Sequence, residues 1–180
     1  YRSHSSASAI KKALGQRGLP YSIIGGSDLF YTPEIKAAVS YLYVLNNFNI
    51  PLQQAEQAWW KLLHGRFGLS GEDSTRLAEY RKKSKKSIQL ILYEDIRKIG
   101  ISPEAVEKIM TLTTSVDFLR KKDKKISDTL LDIYEISGIG REYNDSREAM
   151  ENLKQLIHLA SNFETFHGDD LRSFVAYLEM

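Results

Sequence analysis

Apolar residues recur every three or four positions over most of this chain, the spacing of a helix with one buried face. Behind Thr32-Pro33-Glu34, the residues Ile35, Ala38, Val39, Leu42 and Leu45 keep that period. A hydroxyl, a proline at the first helical position and an acid in the first turn predict a helix start there. Ser102-Pro103-Glu104 repeats the signal, and Asp145 with Glu148 three residues on resembles a capping box. Further helices are expected at about 71–83, 86–97, 103–120, 127–136, 146–166 and 169–179. In the longest, Ala149, Leu153, Leu156, Ile157, Ala160 and Phe163 form one stripe that reads as core. Near the start the pattern differs. Ser5 to Arg17 has helical composition, whereas Pro20-Tyr21-Ser22-Ile23-Ile24 alternates and is rich in β-branched residues, as a short strand would be, before Gly25-Gly26. The expectation is a mainly α fold, a helical bundle with a short α/β remnant ahead of it. The polar break Asn46-Asn47-Phe48-Asn49-Ile50-Pro51 suggests a boundary, giving segments 1–48 and 49–180.

Composition narrows the class. The 180 residues are 42% hydrophobic and 27% charged, with four prolines, a globular rather than disordered profile. No cysteine is present, which excludes disulfides, thiolate metal sites and cysteine nucleophiles. Apolar runs such as Ile88 to Tyr93 are far too short to span a bilayer, and no basic-then-apolar leader is seen, so cytoplasm is the expected location and no membrane partner is expected. The net charge of +2 conceals a division. Residues 1–125 hold 21 Lys and Arg against 12 Asp and Glu, while residues 126–180 hold 4 against 11. Ten basic residues fall in two runs, Arg81-Lys82-Lys83-Ser84-Lys85-Lys86 and Arg120-Lys121-Lys122-Asp123-Lys124-Lys125. Such runs end helices as solvated faces, and they also displace counterions from nucleic acid.

Catalytic chemistry is hard to assemble. His4, His64, His158 and His167 are dispersed, without the spacing of a zinc pair, and no Gly-x-x-x-x-Gly-Lys-Ser/Thr phosphate loop or Gly-x-Ser-x-Gly elbow occurs. Gly138-Ile139-Gly140 reads as a helix stop, and Asp169-Asp170 as an acidic helix start. Most of the 17 Tyr and Phe residues lie on stripes, where burial is expected rather than base stacking. One repeat stands out. Gly68-Leu69-Ser70-x-Glu72-x-x-x-Arg76-Leu77 and Gly100-Ile101-Ser102-x-Glu104-x-x-x-Lys108-Ile109 share one form, 32 residues apart. Each looks like the turn and second helix of a helix-hairpin-helix element, in which backbone N–H groups meet a DNA phosphate. An ordinary helix connection would use the same glycine stop and serine cap.

Tyr1-Arg2-Ser3-His4, the segment Gly18-Leu19-Pro20-Tyr21-Ser22-Ile23-Ile24-Gly25-Gly26, then Glu34-Ile35-Lys36 and Tyr41-Leu42 together resemble the second motor domain of UvrD/Rep/PcrA-type superfamily 1 DNA helicases. The hairpins near Gly68 and Gly100, the helix Leu130 to Gly138 and the helices carrying Glu151-Asn152-Leu153 and Leu171, Phe174 and Leu178 are similar in order to that family's helical 2B insertion. Ser70 and Ser102 stand where the family has hairpin glycines. The resemblance implies a parent enzyme that uses ATP and magnesium to unwind DNA, and a piece that carries no catalytic residue and no cofactor of its own. It implies contact with duplex DNA or a duplex–single-strand junction through Gly68, Ser70, Arg76, Lys82, Lys83, Gly100, Ser102, Lys108, Lys121 and Lys122, with Arg2 as a motor-domain position. Other helicase domains of the same chain are expected partners. The rival expectation is a protein-docking module, in a helicase or a RecB-type helicase-nuclease, that never touches DNA.

Overall fold

The computed structural model describes residues 29–48, 53–121 and 124–179, and every regular element among them is helical. Arg2, Lys122 and the expected strand at 20–24 lie outside the described residues. After a short 3-10 turn at Leu29–Tyr31, helix α1 spans Pro33–Asn46 and α2 spans Gln53–Lys61, running on into a π turn at Leu62–Arg66. Helix α3 is Gly71–Ser84. Helix α4 begins at Ile88–Leu90 and continues through a π turn, Ile91–Asp95, and a 3-10 turn, Ile96–Lys98. Then come α5 (Pro103–Arg120), α6 (Ile126–Ile136), the short α7 (Ile139–Glu142), α8 (Arg147–His167) and α9 (Leu171–Leu178).

Caps set these limits. Ser70, Ser87, Ser102, Ser146 and Asp170 each precede a helix in extended backbone and accept an amide from its first turn, which satisfies one of the donors a helix start leaves unpaired. Two expected caps differ. Thr32 turns its hydroxyl back to donate to Leu29 O at 3.1 Å and leaves α1 to its proline. The cap before α8 is Ser146 rather than Asp145, because its Oγ reaches the Ala149 amide at 3.2 Å. Gly138, with φ of 77°, stops α6 and at once opens α7, a turn too short for periodicity to show.

Helix α1 is the centre of the bundle. It buries Ile35, Ala38, Tyr41, Leu42 and Val44, and packs against α2, α5, α6, α8 and α9. Trp59 of α2, Leu77 of α3, Ile91 of α4, Leu112 of α5, Leu130 and Ile133 of α6, and Leu156 of α8 belong to the same core. Thus α1, which precedes the polar break near residue 48, shares one apolar interior with the helices that follow it. Polar ties fasten it further. Buried Glu34 accepts from Asn152 Nδ2 of α8 at 2.8 Å, and Tyr43 donates its hydroxyl to Glu179 at 2.9 Å. Phe163, Phe174 and Tyr177 close the junction of α8 and α9, with ring centroids 5.2 and 5.3 Å from Phe163. No helix among the described residues is long and apolar enough to cross a membrane.

Candidate functional site

The two repeats of the sequence become two equivalent turns. Gly68 and Gly100 have φ of 57° and 75°, a left-handed conformation that residues with a Cβ rarely adopt. Nothing lies within 4 Å of where a Gly68 Cβ would be, so dihedral freedom, not space, is what the position requires. The next residue, Leu69 or Ile101, is buried and pins each turn to the core. The residue after that, Ser70 or Ser102, caps the following helix, accepting from Asp73 N and from Ala105 N, each at 3.1 Å. Both glycines are exposed.

The turns lie side by side and hold each other. Arg76 of α3 donates from Nη1 to Gly100 O, the carbonyl of the other turn. Lys108 of α5 donates to Gly68 O at 3.3 Å, the same bond with the roles reversed. Each cation also pairs with the glutamate one helical turn before it, Arg76 with Glu72 at 2.6 Å and Lys108 with Glu104 at 2.7 Å. The result is a pseudo-two-fold unit, in which residues 32 apart in the chain occupy matching places. Among the expected site residues, Gly68, Ser70, Arg76, Gly100, Ser102 and Lys108 are therefore brought together. Arg76 and Lys108 each have donors committed to a carbonyl and a carboxylate of the protein.

Asp73 breaks the symmetry. Its Oδ2 accepts the hydroxyls of both Ser70 and Ser102, each at 2.8 Å, and its Oδ1 accepts the Ser102 amide at 2.8 Å. The Ser102 amide is the main cause holding the Asp73 carboxyl below its ordinary range, with the Ser70 hydroxyl next. A capping box would return the third-position acid to the amide of its own cap; here Asp73 accepts the hydroxyl of its own cap, Ser70, and the amide of the neighbouring one, Ser102. The matching position on α5 is Ala105, with no carboxylate to offer. Sequence reasoning passed over Asp73, although Ser70-x-x-Asp73 carried the capping-box spacing.

The lysine runs stand apart from the turns. Helices rise 1.5 Å per residue, so Lys82 and Lys83 sit about 20 Å along α3 from its start, and Lys121 lies farther still along α5. The structure also sorts each run. Arg81 pairs with Glu56 at 2.9 Å, Lys86 with Asp95 at 2.7 Å and Glu94 at 3.1 Å, and Lys124 with Asp132 at 2.8 Å. Arg120 lies 3.2 Å from the Phe48 ring centroid, a cation–π contact that roots it in the fold. Lys82, Lys83, Lys85, Lys121 and Lys125 are exposed, and among the described residues none of them has an ion pair. His64 stacks on Trp60 at 5.4 Å and His167 tilts against Phe163 at 4.9 Å, both packing roles. Among the described residues no three His, Asp or Glu side chains are grouped so that they could hold a metal ion.

Comparison with known proteins adds the parentage. Residues 1–178 match the UvrD-like helicase C-terminal domain family. The chain is 23% identical to the ATP-dependent DNA helicase PcrA of Staphylococcus epidermidis and 25% identical to DNA helicase II of Escherichia coli, in each case over 99% of its own length. It spans 25% of the length of each of these relatives.

Proposed function

The chain belongs to the UvrD-like helicase C-terminal domain family, and from that premise we propose that it is the duplex-guiding part of an ATP-dependent DNA helicase. Residues 1–48 represent part of the second motor domain and residues 49–180 the helical 2B insertion. Helix α1, in the first of these segments, shares its apolar core with the helices of the second. The nucleotide and magnesium would be held by parts of the parent beyond this chain. The observation that carries the proposal is the pair of exposed glycine turns locked together by reciprocal bonds from Arg76 and Lys108. Two helix starts fixed side by side set two points that a phosphate backbone could meet, the Ser102 amide at one of them being held by Asp73. The exposed Lys82, Lys83 and Lys121 add charge about 20 Å away or more, so one duplex would be touched at separated points along its axis.

A fluorescence titration of the 180-residue chain with a duplex–single-strand junction tests this. Binding should weaken with a steep negative dependence on salt, with a slope of about −0.9 for each phosphate neutralised. Charge reversal at Lys82, Lys83 and Lys121 should weaken binding to all sequences alike. Absent or salt-independent binding would defeat the proposal.

A second reading has one observation in its favour. Pro103, Val106, Met110, Phe118 and Ile136 line an open, largely apolar groove along α5, and Met110 and Phe118 are about half exposed. Another domain of the parent could dock there, which is the protein-docking alternative.

A further inference from the structure

Asp73 takes both the amide and the hydroxyl of the cap at one of the two turns. The two turns differ at the amide: both cap hydroxyls donate to Asp73, but the residue matching Asp73 on the other helix is Ala105, and among the described residues no carboxylate returns to the Ser70 amide. At the second turn the Ser102 N–H and hydroxyl both end on Asp73, at 2.8 Å each. Asp73 is itself buried and accepts a third bond from Ser70, so its negative charge is held in place rather than free to swing away. Two anions do not share one pair of donors, because each would lose hydrogen bonds and gain repulsion.

We propose that Asp73 is a resident anion at the second turn, so that duplex backbone is taken first at Ser70 and Gly71 and the Ser102 turn stays closed until Asp73 is displaced. This rests on the duplex-guiding reading above, and it makes the two turns unequal where the sequence repeat suggests equals. Asp73 is a positioning residue here; it makes no contact with DNA.

The test is a salt-resolved titration of the intact chain with a duplex–single-strand junction, in the native form and as Asp73→Asn and Glu107→Gln. Glu107 is an exposed acid of α5 just beyond the second turn, and Glu107→Gln removes the same charge without opening the turn. Asp73→Asn should bind roughly threefold to tenfold more tightly at low salt, since the negative charge that opposes a phosphate at the Ser102 turn is gone and the bonds that hold the Ser102 donors are weakened. Glu107→Gln should change affinity less than half as much. Equal effects of the two variants, or weaker binding by Asp73→Asn with an unchanged salt slope, would overturn the inference. Amide chemical shifts of the native chain give an answer that no variant is needed for. Adding the junction should move the Ser70 and Gly71 signals and leave Ser102 in place, and comparable movement of Ser102 would also overturn it. If the native chain shows no salt-dependent binding at all, the duplex-guiding reading falls and takes this inference with it. Binding with the wrong pattern of variants or shifts removes this inference alone.

Discussion

Lys85 is the one described residue other than glycine with a positive φ, 57°, and it ends α3 by donating its amide to Arg81 O at 2.9 Å. A Cβ in that conformation costs about 1 kcal/mol, so Lys85→Gly should raise the stability of the chain by about 0.5–1 kcal/mol, read as a higher denaturant midpoint at an unchanged slope. The same run contains an opposite case. Lys86 holds Asp95, a buried carboxylate that Lys98 also reaches at 2.5 Å. These bonds, from Lys86 first and Lys98 second, lower the Asp95 carboxyl to about 2 from 3.8. A group depressed on folding contributes stability above its ordinary value and loses it as pH falls toward the depressed one. Thermal melts should therefore decline as pH drops from about 4 toward 2, and Asp95→Asn, less stable at neutral pH, should flatten that decline. Nothing in the sequence separated Lys86 from Lys82 and Lys83. Which lysine meets a buried acid is decided by how the turns that continue α4 bring Asp95 to the residue just ahead of that helix, and composition does not carry that information.

At the scale of elements, the sequence was most legible where local chemistry decides. The cap-proline-acid signal at Ser102 begins α5 at Pro103 as expected, because the serine side chain and the preset φ of proline act within a few residues. Spacing also disclosed the two turns, since a left-handed glycine, a buried aliphatic and a serine cap are each local demands. It could not disclose that the turns brace one another, for Arg76 and Gly100 meet only after α3 and α5 pack. The braces give a prediction at this scale. Arg76→Ala and Lys108→Ala should each destabilise modestly, and together by an amount that departs from their sum by about 0.5 kcal/mol, since both act on one unit. Strict additivity in a double-mutant cycle would mean that the two bonds are independent.

The whole molecule depends on α1 and the residues that enclose it. Leu112 of α5 is fully buried in the common core, and Leu112→Ala should cost about 2–5 kcal/mol, measured by equilibrium unfolding. Because the core is continuous, that loss should appear as one cooperative transition rather than as melting of α5 alone. Sequence patterning found the helices that build this core and did not find their arrangement. The polar stretch near residue 48 reads as a divide, and the apolar faces of α1 and of the helices after it are buried in one core. The charge division is the one global property that was visible from the start, since it requires only counting.

The reciprocal contacts between the glycine turns have a consequence for descent. A change at Arg76 frees the carbonyl of Gly100, and a change at Lys108 frees that of Gly68, so neither half of the duplicated unit can drift without disturbing its twin. Across related chains these two cations should be kept or replaced in step, and lineages that abandon one should show a compensating residue at the other.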